Sequence, residues 1–277
     1  MAELDAQVRA TLLVGDTTLE FDGTRTAVMG VVNVSPESRN RQTVAASPAE
    51  AGTLAVGHAA AGADLIDLGA QSSHYEATTL TPEEEWSRLA PALHEVLAAG
   101  LPVSVDTWKP EVARRAIAEG AWLVNDTGGL RDPAMVGLLA ETGAAGVAMR
   151  IDGTDPHRVR PLDISGDVPG RIFGELARLL EDLERAGVTN VLLDPGIAIN
   201  YPGDYSAYTR LQLEVIRRLA ELQRLGRPVL VPIPRKQTLA ATLAYVTLSL
   251  EYGADVVRVH DVADAVTLVE LFGRRMR

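Results

Sequence analysis

The 277 residues are 47% apolar, enough for a substantial core, and they carry a net charge of −11 at pH 7 with no cysteine. That charge argues against a duplex nucleic acid partner, which needs a basic face, and the absence of cysteine excludes disulfides and thiolate metal sites. The segment MAELDAQVRA lacks the apolar run of a signal peptide, and no window reaches the ~18 apolar residues of a membrane span, so a cytoplasmic protein is expected.

Residues 11–22, TLLVGDTTLEFD, read as a β-hairpin turning at Gly15-Asp16. From residue 26 onward, short β-branched or apolar runs alternate with longer amphipathic stretches. In order they are TAVMGVVNV, DLIDLG, PVSVD, WLVND, GVAMR, VLLDP, PVLVPI and VVRVH, eight candidate strands of a parallel sheet. The intervening helices include PEVARRAIAEG from 110, DPAMVGLLAETG from 132, GRIFGELARLLEDLERAG from 170 and AVTLVELFGRRMR from 265. Gly62, Gly120, Gly187 and Gly253 each stand just before a strand, where a left-handed C-cap returns the chain to the sheet. Eight βα units predict an α/β fold: a (β/α)8 barrel forming one domain over residues 1–277, with the hairpin as a plug beneath it.

Nearly every candidate strand ends on a polar group: Asn33, Asp67, Asp106, Asn125 with Asp126, Asp194, Lys236, and Arg258 with His260. In a barrel those ends converge on the face that carries catalytic groups. Strand-end Asp and Asn also serve as helix caps, the reading for Asp132 before Pro133, but Lys236, Arg258 and His260 have no such use. Asp106, Asn125 and Asp194 supply acceptors and one amide, Lys236 and Arg258 supply donors, and the Arg plane stacks on flat rings. A bicyclic ligand with an amino-oxo pyrimidine edge fits that inventory, as do several others.

With these residues in order, the chain resembles the dihydropteroate synthases, pterin-binding (β/α)8 enzymes of folate synthesis. The resemblance runs through Val28-Met29-Gly30-Val31-Val32-Asn33-Val34-Ser35-Pro36-Glu37-Ser38, Gly62-Ala63-Asp64-Leu65-Ile66-Asp67-Leu68-Gly69 and Val103-Ser104-Val105-Asp106-Thr107. It continues through Lys109-Pro110-Glu111-Val112-Ala113, Val124-Asn125-Asp126, Gly129-Leu130-Arg131-Asp132-Pro133 and Leu193-Asp194-Pro195-Gly196-Ile197. Arg235-Lys236 and Arg258-Val259-His260-Asp261-Val262 complete it. The resemblance implies a homodimeric transferase that condenses a dihydropterin pyrophosphate with p-aminobenzoate or a related amine, releasing pyrophosphate with Mg2+. It implies that Asp106, Asn125, Asp194, Lys236 and Arg258 hold the pterin. Asn33 then binds Mg2+ on the leaving pyrophosphate, while Arg258 and His260 form an anion site.

Departures from the family pattern cluster on the side expected to take the aryl amine. Glu37-Ser38-Arg39 replaces an Asp-Ser-Phe run, and Ser72-Ser73-His74-Tyr75-Glu76 replaces Ser-Thr-Arg-Pro-Gly, so His74 stands for an arginine. Ala198-Ile199-Asn200-Tyr201 replaces Gly-Phe-Gly-Lys, Arg150 replaces a histidine, and Gln237-Thr238-Leu239 runs straight into an apolar helix where a serine loop is expected. The substrate-loop candidates are therefore Glu37, Arg39, Ser73, His74 and Gln237. Two further readings stay open: a divergent paralogue with an altered second substrate or no synthase activity, and methyl transfer from a methylated folate to a corrinoid protein.

His58, His94 and His157 are isolated and read as surface or packing residues, since no spacing suggests zinc. Gly128-Gly129 lacks the Gly-Lys-Ser/Thr of a phosphate loop. Arg158, Arg160 and Arg171 read as parts of a solvated loop, and Trp108 as either pocket lining or packing.

Overall fold

The computed structural model describes residues 8–15, 17–38 and 41–276, with the side chain of Arg41 also excluded. Asp16, half of the expected hairpin turn, and the substrate-loop candidate Arg39 therefore lie outside the described residues. In chain order the elements are β1 (Ala10–Val14), β2 (Thr17–Phe21), β3 (Ala27–Asn33), α1 (Pro48–Ala60), β4 (Leu65–Gly69), α2 (Pro82–Leu97), β5 (Val103–Asp106), α3 (Pro110–Ala118), β6 (Leu123–Asn125) and α4 (Pro133–Thr142). They continue as β7 (Ala145–Met149), α5 (Val168–Arg185), β8 (Val191–Asp194), α6 (Tyr205–Arg217), α7 (Leu219–Gln223), β9 (Leu230–Pro232), α8 (Leu239–Glu251), β10 (Val256–Val259) and α9 (Val262–Leu271).

Strands β3 to β10 form one parallel sheet in the order β8-β7-β6-β5-β4-β3-β10-β9. The open edges meet where Leu193 bridges Val229 and the Leu193 N–H donates to the Pro228 carbonyl at 2.9 Å, so the sheet closes into the expected barrel. Strands β4, β5, β7 and β8 are buried along their whole length, as a parallel sheet wrapped by helices requires. Gly62, Gly120, Gly187 and Gly253 all have positive φ, between 84° and 113°, in the left-handed conformation anticipated at the returns to the sheet.

β1 and β2 pair antiparallel with Leu12 opposite Leu19. Leu12, Val14 and Phe21 pack with Ala27, Leu65, Leu123, Ala145, Leu230 and Val256, residues at or near the starts of the barrel strands. The hairpin thus plugs the N-terminal end of the barrel and leaves the opposite end for the site. Helix boundaries differ from the sequence reading at α5 and α9. α5 begins at Val168, because the Asp167 carboxylate accepts from the Gly170 N–H at 3.1 Å and caps the helix earlier. α9 stops at Leu271, where Gly273 turns left-handed and Arg274 and Arg275 return to Thr26 at the start of β3. No helix among the described residues is long and apolar enough to cross a membrane.

Candidate active site

At the C-terminal end of the barrel a cavity of about 290 Å³ is lined by Asn33, Ser73, His74, Asp106, Lys236, Arg258 and His260 among others. Its floor is an ionic cluster centred on Arg258. The Arg258 Nε–H donates to Asp67 Oδ2 at 2.7 Å and Nη2–H to Asp106 Oδ2 at 3.0 Å. Asp67 is fully buried and takes two more bonds, from Ser104 Oγ at 2.6 Å and Asn125 Nδ2 at 3.2 Å. Asp67 was not among the site residues expected from sequence. Its signals there are the strand-end position that it shares with Asp106 and its place in the Gly62–Gly69 segment, neither of which names a role.

These acids are poised near neutrality. Burial pushes the Asp106 carboxyl up to about 7, against the pull of Arg258 and with the help of the Asp67 charge. Burial likewise raises Asp194 to about 7, opposed by the Gly196 N–H, which donates to Oδ1 at 2.7 Å, and by Arg258. Asn125 and Asp194 are buried behind the cavity surface rather than lining it. Burial disfavours the Arg258 charge, but the Asp67 and Asp106 carboxylates more than offset it, so its pKa sits above the usual arginine value.

His260 is held at about 3 by burial and by the charges of Arg258, Arg235 and His58. It is neutral at pH 7 and contributes hydrogen-bonding capacity, not charge; its Nδ1 lies 2.7 Å from Thr43 Oγ1. Arg235 brings a second guanidinium to the same wall, bonded to Gln42 Oε1 at 2.6 Å. Asn33 Oδ1 accepts the Ser35 N–H at 2.7 Å, which fixes the amide at the β3 exit. Among the described residues no group of three or more His, Asp or Glu side chains gathers as a metal site.

Lys236 lines the cavity on its α6 side. Its ammonium donates to Gln212 Oε1 at 2.8 Å and to Tyr205 Oη at 3.4 Å, and it stands 4.5 Å from the Tyr245 ring centre and 5.0 Å from that of Tyr205. Two aromatic rings and an amide oxygen surround the ammonium, and burial lowers its pKa. This wall of Tyr201, Tyr205, Tyr208 and Gln212 comes from α6 and the loop before it, which the strand-end rule does not reach. The sequence does hold a cue, since three of the chain's six tyrosines fall within eight residues there.

Among the substrate-loop candidates, Ser73 and His74 line the cavity. His74 stacks on Tyr75 with ring centres 4.7 Å apart, and its Nδ1 accepts the Glu76 N–H at 3.2 Å. The loop is tied across the mouth by His157: Nε2–H donates to the Ser72 carbonyl at 2.8 Å, and Nδ1 lies 2.6 Å from Thr79 Oγ1. Glu37 is drawn away from the cavity by Arg88 on α2, at 3.1 Å, and Gln237 is exposed ahead of the Thr238 cap of α8.

The remaining residues resolve into structural roles. Asp126 accepts the Gly128 and Leu130 N–H groups at 2.7 and 3.0 Å, so a carboxylate fills the turn that a phosphate loop would offer to a ligand. Trp108 packs edge-on to His157 with ring centres 5.1 Å apart. His58 bonds the Val31 carbonyl at 2.9 Å and His94 meets Glu119 at 3.1 Å. Asp132 caps α4 through the Ala134 N–H at 2.8 Å. Arg160 and Arg171 bond acceptors of their own loop.

Comparison with known proteins agrees with this geometry. The model of the pterin binding enzyme family matches residues 29–260. The chain is 31% identical to dihydropteroate synthase from Neisseria meningitidis serogroup B, covering 89% of this chain and 92% of that protein. It is 34% identical to a probable bifunctional folylpolyglutamate synthase/dihydropteroate synthase from Haloferax volcanii, over 89% of this chain but only 30% of that longer protein. The structure of dihydropteroate synthase from Thermus thermophilus in complex with 4-aminobenzoate superposes with a TM-score of 0.78 at 33% identity, covering 95% of this chain and 98% of that one.

Proposed function

This chain belongs to the dihydropteroate synthase family of pterin-binding enzymes, and from that premise we propose that it joins a dihydropterin pyrophosphate to p-aminobenzoate or a related aryl amine, releasing pyrophosphate. The observation that carries the reading is Arg258 braced between Asp67 and Asp106 on the cavity floor. Asp106, with Asp194 and Asn125 buried behind it, supplies the acceptor side for the paired N–H groups of an amino-oxo pyrimidine edge, and a bound ligand of that kind favours the charged carboxylate. In the reaction the C–O bond to pyrophosphate breaks, its electron pair leaving on oxygen. The methylene carbon becomes cationic, is stabilised by the pterin ring, and forms a C–N bond to the aryl amine, which sheds a proton.

Arg258 and Arg235 supply fixed positive charge for the departing anion, and neutral His260 supplies a hydrogen bond beside it. Asn33 offers one amide oxygen, which suits a hydrated Mg2+ that arrives on the substrate phosphates and not a resident metal cage. Such an ion neutralises charge on the leaving group when bound. Lys236, in its tyrosine and amide cradle, holds a cation on the α6 wall. Ser73 and His74 border the opposite side.

The same reading takes the chain as a single domain acting in the cytoplasm in folate synthesis, as a homodimer; Leu239 on α8 and Leu271 on α9 are exposed apolar side chains available to a second copy. The relatives reported above carry the synthase name, so the non-catalytic paralogue and the methyltransferase are not favoured. Incubation with dihydropterin pyrophosphate, Mg2+ and p-aminobenzoate tests the proposal by following pyrophosphate and dihydropteroate. Both products are expected in equal amounts, and neither appearing would overturn it.

A further inference from the structure

One buried donor on the cavity wall has no partner. Gln71, just beyond β4, is 4% exposed and lines the cavity beside Asp106 and Ser72. Its Oε1 accepts the Leu80 N–H at 3.2 Å and Lys109 Nζ at 2.5 Å. Both neighbours are donors only, so the amide cannot be turned end for end. Lys109 is itself fixed by its ion pair with buried Glu85 and by the Trp108 ring, 4.5 Å from Nζ. The amide is therefore locked with Nε2 facing away from Lys109, and Nε2 has no acceptor among the described residues. Glu85 Oε1 is also unpartnered, but Glu85 does not line the cavity. A buried amide donor without an acceptor is costly, and at a binding cavity it is explained when the ligand supplies the acceptor.

We propose that Gln71 is a specificity-determining residue of this site, its Nε2–H donating to an acceptor of the pterin pyrophosphate substrate. The acceptor is a ring nitrogen or carbonyl of the heterocycle, or a phosphoryl oxygen. Lys109 and Glu85 serve as the clamp that holds the amide in position. The inference rests on the synthase reading above.

The discriminating substitution is Gln71→Glu, which keeps the oxygen that Lys109 and Leu80 use and replaces the N–H group with a second acceptor. Binding is measured by calorimetry with two probes, a dihydropterin lacking the pyrophosphate and inorganic pyrophosphate with Mg2+. Gln71→Glu is expected to weaken one of them about tenfold more than the other, identifying which moiety Gln71 meets, while lowering the ligand-free melting temperature because two buried carboxylates then share Lys109. Gln71→Met, which removes the whole amide, is expected to weaken the same probe and also to lower the ligand-free melting temperature, because Lys109 loses an acceptor. Unchanged affinity for both probes in either folded variant overturns the inference while leaving the synthase reading intact. Wild-type protein that binds neither probe overturns the reading itself.

Discussion

Asp67 and Arg258 lie 191 positions apart in sequence, yet a 2.7 Å bond joins Asp67 Oδ2 to Arg258 Nε across the floor of the barrel. The carboxylate is fully buried and also receives Ser104 and Asn125, so it organises three strand ends at once. Removing it in Asp67→Ala leaves a largely buried guanidinium facing half its former partners. Urea unfolding is expected to show a loss of about 3–5 kcal/mol, the usual consequence of breaking a buried ion pair from one side.

Arg258→Lys retains charge but not shape. Two carboxylates on different strands are met by two edges of one planar group, and a single ammonium on a flexible stem cannot reproduce that fork. Steady-state kinetics should show kcat/KM falling on the order of a hundredfold, in the range typical for loss of one oriented charge-stabilising donor.

The pH dependence of stability follows from Asp194, which burial raises to about 7 from an ordinary value near 3.9. Between those values the folded protein binds a proton that the unfolded chain does not. Its contribution is fully present below about pH 4 and is lost as pH rises through about 7. Asp194→Asn deletes that titration. Melting curves from pH 4.5 to 8 should show the variant gaining on the wild type as pH rises, and a constant difference would refute the assignment.

Gly196 carries both conformation and clearance. Its φ is +72°, and a Cβ there would stand 1.9 Å from the Arg150 carbonyl oxygen, a contact no small adjustment relieves. Gly196→Ala is expected to cost at least about 1–3 kcal/mol from backbone strain alone. Because the Gly196 N–H also holds Asp194 Oδ1, pterin affinity by calorimetry should fall with it.

Much of this architecture was legible in the sequence because its signals are local. β-branched runs bounded by glycine define the strands, and the four helix-end glycines adopt the left-handed conformation that their positions called for. The strand-end rule brought Asp106, Arg258 and His260 to one cavity. What local signals do not carry is the choice of partner. Nothing near Asp67 says that it outranks Asp126, yet one binds Arg258 and the other closes a turn. Lys236 sits where expected along the chain, but its ammonium direction is set by Gln212, Tyr205 and Tyr245 on neighbouring helices. Likewise, Gln71 is conspicuous only once Lys109 is seen to occupy one end of its amide.

The plug beneath the barrel imposes an order on biosynthesis. β1 and β2 are made well before β9 and β10, yet their apolar residues pack against Leu230 and Val256, and Arg9 pairs with Asp255. Thr26 likewise waits for Arg274 and Arg275. The hairpin's seat is therefore complete only once β9 and β10 have been made, and until then part of the cover over Leu12 and Phe21 is missing. An apolar surface left partly open while the rest of the chain is made is where misassociation starts, so substitutions in β9 or β10 that weaken this seat should act on the hairpin as well.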